Sequence, residues 1–200
     1  MGQRQAVRWW MVIVGVLMAG AIATAATPTP AQSCRLGDRV APSPDRRTFE
    51  NSALGIAFQI PANYRAMLRN TGHVTFHDPT TFEFIQCLSR TGRYGTLPPH
   101  TTLEVSPGVS GQDLTQIVRR KRPWLDFYNP AFAAVDLNGR PALRYAYSHA
   151  IDRTEILSYS FLAKDGQTLL TLSGPAQDPV LTQAIATLTF LDGAIAPLQP

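Results

Sequence analysis

The chain has few cysteines, few histidines and few charges, and each shortage excludes something. Two cysteines, Cys34 and Cys87, cannot build a structural zinc site, which takes about four ligands. The four histidines are scattered, and only His73 and His77 lie close in sequence. Val74, Thr75 and Phe76 between them favour a strand. On a strand, positions four apart sit about 13 Å from each other, too far for one zinc to bridge. Either histidine with Asp78 offers at most a weak surface metal site, so no metal or cofactor is expected. Charged residues make up 16% of the chain and apolar ones 44%. That balance excludes wholesale disorder and supplies an ordinary core.

Catalytic patterns are missing as well. Ser110 stands in Gly108-Val109-Ser110-Gly111, which is not the strained G-x-S-x-G elbow and opens a helix instead. His100 and His149 could partner it in composition only. Glu50, Glu83, Glu104 and Glu155 show no paired spacing, so glycosidase chemistry has no foothold. No glycine loop suited to cradling phosphate is present, and no long repeat is visible. No enzyme is expected.

No acidic residue precedes Asp38, and this absence points to a compartment. Arg4 and Arg8 lead into an apolar run from Trp9 to Ala23, followed by Ala23-Thr24-Ala25-Ala26. A basic start, an apolar stretch of roughly 15 residues and a small-residue exit make residues 1–26 a secretory signal. The alternative is an uncleaved anchor, because adding Thr24 to Ala26 brings the run near the length of a membrane span. A lipoprotein site at Cys34 fits poorly, with Ala31-Gln32-Ser33 before it. The expected location is extracytoplasmic: periplasm, thylakoid lumen or secreted. There, Cys34 and Cys87 most simply form one disulfide. Formal net charge is +4 and falls to +2 without Arg4 and Arg8. That is too small to argue for nucleic acid. The length gives one domain, expected as a monomer.

Residues 27–47 read as a Pro/Thr/Ser-rich spacer, 48–192 as the domain and 193–200 as a tail. Leu54 to Ile60 alternates like a half-buried strand and ends at Pro61. His73–Asp78, Thr81–Leu88 and Thr101–Ser106 read as further strands. Ser110 with Asp113 predicts a capped helix to Arg122, stopped by Pro123. Asn138-Gly139 and Asp165-Gly166 predict hairpin turns between strands 132–137, 141–149, 154–163 and 168–173. These form an antiparallel meander with one face buried. Asp178-Pro179 opens a last helix, and Thr189-Phe190-Leu191 returns to the sheet. The order predicts an α+β fold, an antiparallel sheet with helices on its faces.

Phe49, Leu54-Gly55-Ile56, Phe58, Ile60-Pro61 and Tyr64 resemble the opening of PsbP-like domains. The helix up to Arg122, the Asn138-Gly139-Arg140 hairpin and the closing helix before Thr189-Phe190 follow in the family's order. The resemblance covers residues 48–191. Tyr64 stands where Trp is commoner, and the cysteine pair is not a family mark. The resemblance implies a Mog1/PsbP fold, an α/β/α sandwich around a central antiparallel sheet. It also implies an accessory or assembly role on a membrane complex such as photosystem II. It assigns no functional residue here.

The basic run Arg119, Arg120, Lys121 and Arg122, followed by Trp124, is the candidate docking surface. It suits an acidic protein face, or peripheral contact with anionic headgroups. The competing reading is a solvated helix end with Trp124 packed beneath it. A second functional alternative is an envelope protein that acts chaperone-like or holds a small apolar ligand between sheet and helices. Tyr145, Tyr147, Tyr159 and Phe161 would then line a groove, unless they are simply core.

Overall fold

The computed structural model describes residues 33–111, 113–150 and 153–191. The leader and the tail lie outside these residues. Ten strands and four helices are described, in two sheets.

The smaller sheet is formed by β1 (Arg46–Asn51), β2 (Ile56–Pro61) and β10 (Thr189–Phe190), with β2 in the middle. The larger sheet is antiparallel throughout. Its strands are β3 (Arg65–Leu68), β4 (Val74–His77), β5 (Thr101–Ser106), β6 (Ala133–Leu137), β7 (Arg140–Ser148), β8 (Glu155–Leu162) and β9 (Leu169–Pro175). They lie in the order β3-β4-β5-β9-β8-β7-β6. The meander expected from the turn residues is therefore one half of this sheet. Asn138 and Gly139 both take positive φ between β6 and β7, as a tight hairpin turn demands.

Helix α1 spans Pro79–Thr91, and this corrects the strand expected over Thr81–Leu88. The Asp78 side chain accepts from the amides of Thr80 and Thr81, Pro79 opens the helix, and Gly92 closes it at φ 64°. Thr81, Phe84 and Ile85 are its buried residues, a helical spacing that the alternation of Phe82 and Phe84 conceals. Helix α2 is Leu114–Lys121, and its cap is Asp113, not Ser110. Asp113 accepts from the Thr115 amide at 2.8 Å. The short helix α3 is Leu125–Tyr128, and α4 is Pro179–Thr187, opened by Asp178 and Pro179 as expected.

Both faces of the large sheet are buried, which corrects the expectation of one buried face. Leu143 of β7 pairs with Ser160 of β8, and Tyr145 with Ser158. Odd-numbered residues of β7 thus sit beside even-numbered residues of β8. Leu143 and Tyr145 enter a core with Val109, Ile117, Val118, Leu125 and Leu169, under α2 and α3. Phe161 enters the opposite core with Phe58, Ile60, Phe76, Leu103, Leu172, Val180 and Leu181, under β2 and α4. Leu157 and Tyr159 pack against that same core. The two aromatic runs therefore cannot line one groove. The architecture is a sandwich with helices on one face and α4 with the small sheet on the other.

Candidate functional site

Helices α2 and α3 carry the docking residues expected from the sequence, and the structure divides them. Arg122 is 4% exposed, lies in an ion pair with Glu104 of β5 and approaches the Trp124 ring, 5.8 Å from its centroid. Arg119 pairs with Asp126 and sits over Phe132 at 5.0 Å. Arg120 donates to the Ser110 carbonyl, and Lys121 to the Pro107 carbonyl at 2.9 Å. Carbonyls are neutral, so Arg120 and Lys121 keep their charge while fixed in place, whereas the other two cations are offset by carboxylates.

Aromatic side chains gather beside them. Trp124 is 42% exposed and stacks edge-on with Tyr147, 5.0 Å between centroids. Tyr128 touches Trp124, Phe127 and Tyr147. Burial pushes the Tyr147 hydroxyl up to about 12, with the Arg122 guanidinium pulling against it and the Glu104 carboxylate adding to it. Phe127 stands 87% exposed. Sequence reading missed Phe127, because a four-residue helix has too little periodicity to show which side faces out. Trp124 rests on Tyr147 and does not pass beneath the helix.

A polar knot lies at one end of strands β4, β5 and β9. Arg39 bridges two helix caps, 3.7 Å from Asp78 and 3.8 Å from Asp178. Asp178 also accepts from Thr101 at 3.1 Å, and Asp78 from Thr81 at 2.6 Å. Burial tends to raise the Asp78 carboxyl. Hydrogen bonds from Thr81 and Val40, and the Arg39 guanidinium, outweigh it and hold the group below its ordinary value. Beside the knot, His77 is buried, with Nε2 2.8 Å from the Thr75 hydroxyl. Its ring lies 4.5 Å from that of His100. The Pro98 carbonyl can only accept, so His100 donates to it through Nδ1 at 2.9 Å. Burial, then the charges of His100 and Arg69, lower His77 to about 3. Burial lowers His100 as well. Both rings are neutral at neutral pH.

The segment that delivers Arg39 is fastened to the domain. Cys34 and Cys87 form a disulfide onto α1. Ser43 donates to Asn63 at 2.8 Å, and Asn63 returns a bond to the Ala41 carbonyl. The part of the Pro-rich stretch from Cys34 onward thus lies along the domain. His73 and His77 sit before and at the end of β4, so they do not converge. Among the described residues no group of three or more His, Cys, Asp or Glu side chains could hold a metal.

The sequence matches no family model, and no curated protein matches it. The fold is similar to solved structures of the PsbP and Mog1 type. One is the solution structure of cyanobacterial PsbP (CyanoP) from Synechocystis sp. PCC 6803. It is 14% identical over 81% of this chain and 99% of that one, with a TM-score of 0.48. Another is the Ran-binding protein Mog1p of Saccharomyces cerevisiae. It is 9% identical over 74% and 96% of the two chains, with a TM-score of 0.41. These likenesses concern fold. What the site can do is read from its own residues: an aromatic ledge beside two cations that, among the described residues, no carboxylate neutralises has the composition of an association surface. No helix among the described residues is long and apolar enough to cross a membrane.

Proposed function

We propose that this chain is an exported, non-enzymatic binding domain. It docks on an acidic face of a membrane protein complex through Arg120, Lys121, Trp124 and Phe127. The observation that carries this reading is Phe127, 87% exposed on a helix turn that is itself anchored by the fully buried Leu125. A large aromatic held outward on a rigid base, with Trp124 beside it and cations at the rim, has the composition of an interface hot spot. The cystine supports residence outside the reducing cytoplasm.

The test is affinity capture of the tagged chain from its own host, repeated with F127A and with R120E/K121E. The wild type should recover a reproducible set of membrane subunits, and each variant should lose most of it. Recovery of photosystem subunits would give the most specific form of the reading that the PsbP resemblance implies. Unchanged recovery by both variants would remove this surface as the docking site. Reversing Arg119 and Arg122 is a poor test, because it breaks the pairs with Asp126 and Glu104 that hold the helices in place.

A further inference from the structure

A second surface lies on the same face of the sheet, at its other side. Helix α1 and the β3–β4 hairpin enclose an open groove of about 1080 Å³. Its floor is the sheet, through Thr75, Thr102 and Glu104. Its walls are apolar where Met67, Ile85, Leu88 and Leu97 face it, and cationic where Arg69, Arg90 and Arg93 reach in. Among the described residues, none of these three arginines forms an ion pair with a carboxylate, unlike Arg39, Arg119 and Arg122. The Arg69 guanidinium donates to the Met67 sulfur at 3.2 Å, while its amide bonds the His73 carbonyl. The one carboxylate of the lining, Glu104, is already engaged by Arg122. Among the described residues, the groove therefore carries three uncompensated positive charges over an apolar wall.

The rim is held in place. Gly92 ends α1 in the left-handed conformation, and the Arg93 amide turns back to the Leu88 carbonyl at 3.1 Å. Gly95 then lies flat on the helix: a side chain there would meet Phe84 at 2.9 Å and Leu88 at 3.0 Å. This close contact fixes Arg93 and Tyr94 at the opening. Tyr94 is fully exposed, and Leu68 across the groove is 73% exposed. Apolar groups stand uncovered on both sides of the cations.

We propose that this groove binds an amphiphile with an anionic head, a single molecule whose phosphate or carboxylate is gripped by Arg69, Arg90 and Arg93. The planar guanidinium fork pairs two N–H groups with two oxygens of a carboxylate or a phosphate. The volume and the apolar wall suit a tail of modest length, with a few placed charges setting orientation. The site is separate from the aromatic ledge and does not depend on that surface being a docking site.

The test is titration calorimetry on the full chain with dodecyl phosphate below its micellar concentration. Two further arms are inorganic phosphate, a head without a tail, and dodecyl maltoside, the same tail on a neutral head. All variants share the same N-terminal segment, so its uptake of amphiphile cancels between them. Dodecyl phosphate should bind at one site and at least tenfold more tightly than either control. R69Q/R90Q/R93Q should weaken it at least tenfold. R93E alone, at an exposed position that leaves the fold intact, should weaken it several-fold, and R120E/K121E should leave it unchanged. Equal binding of the neutral amphiphile, equal binding of inorganic phosphate, or indifference to the arginine variants would each overturn the proposal. So would an equal loss in R120E/K121E.

Discussion

His77 is a histidine held away from water. Its ring is buried against Thr75 and His100, with the charges of Arg69, Asp78 and Arg39 acting on it. A histidine with its folded value depressed to about 3 stays neutral in the native state while the unfolded chain takes up a proton below about 6.5. Protons therefore favour unfolding, and stability is lost as pH falls from about 6.5 toward 3. The slope reaches about 1.4 kcal/mol per pH unit for one such group. His100 adds in the same direction, and Asp78 follows once its carboxylate protonates. Urea midpoints measured from pH 7 to 4.5 should fall steadily, and less steeply in H77N. A flat profile would mean that the pair is not held neutral. At the same end of the sheet, D178A removes a cap and the acceptor for Thr101 and should cost about 1–2 kcal/mol. R39A touches a half-exposed guanidinium and should cost no more than about 1 kcal/mol. Thermal denaturation of the two variants would order them. None of these long-range contacts was legible in the sequence, because Arg39 meets Asp78 and Asp178 only through the topology.

Elements were legible to different degrees, and the reason lies in local chemistry. Asp178-Pro179 announced α4. Asp78-Pro79 carries the same signal for α1, yet Thr80, Thr81, Phe82 and Phe84 imitate a strand and mask it. The hairpin at Asn138-Gly139 was plain because both turn residues need positive φ. The pairing parity of β7 and β8 was not, since alternation within one strand shows which residues share a face but not which residues of the next strand join them there. The docking run was readable as a cluster, but only folding shows which cations carboxylates neutralise. Helix α3 separates inner from outer residues sharply. L125A opens a cavity in the core and should cost about 2–5 kcal/mol. F127A removes an exposed ring and should stay within about 0.5 kcal/mol of the wild type. Chemical denaturation of the pair would expose any error in this division, since an unstable F127A would mean that the ring is structural.

At the scale of the whole molecule, one covalent bond ties the leading segment to the body. Cys34 and Cys87 lie 53 residues apart, and closing such a loop contributes about 4 kcal/mol in the chain-entropy picture. Reduction, or C34S/C87S, should lower the melting temperature by several degrees and release Arg39 from its two caps. If reduced and oxidised forms melt together, the segment is held by its hydrogen bonds alone. The sandwich has a further consequence for motion. Strands β8 and β9 have neighbours on both sides and packed layers above and below. Their amides open only when the whole domain opens. In deuterated buffer the amides of Tyr159, Phe161, Leu170 and Leu172 should be the last to exchange, long after those of β3 and β6, so that the slowest protons report global stability and the edges report breathing.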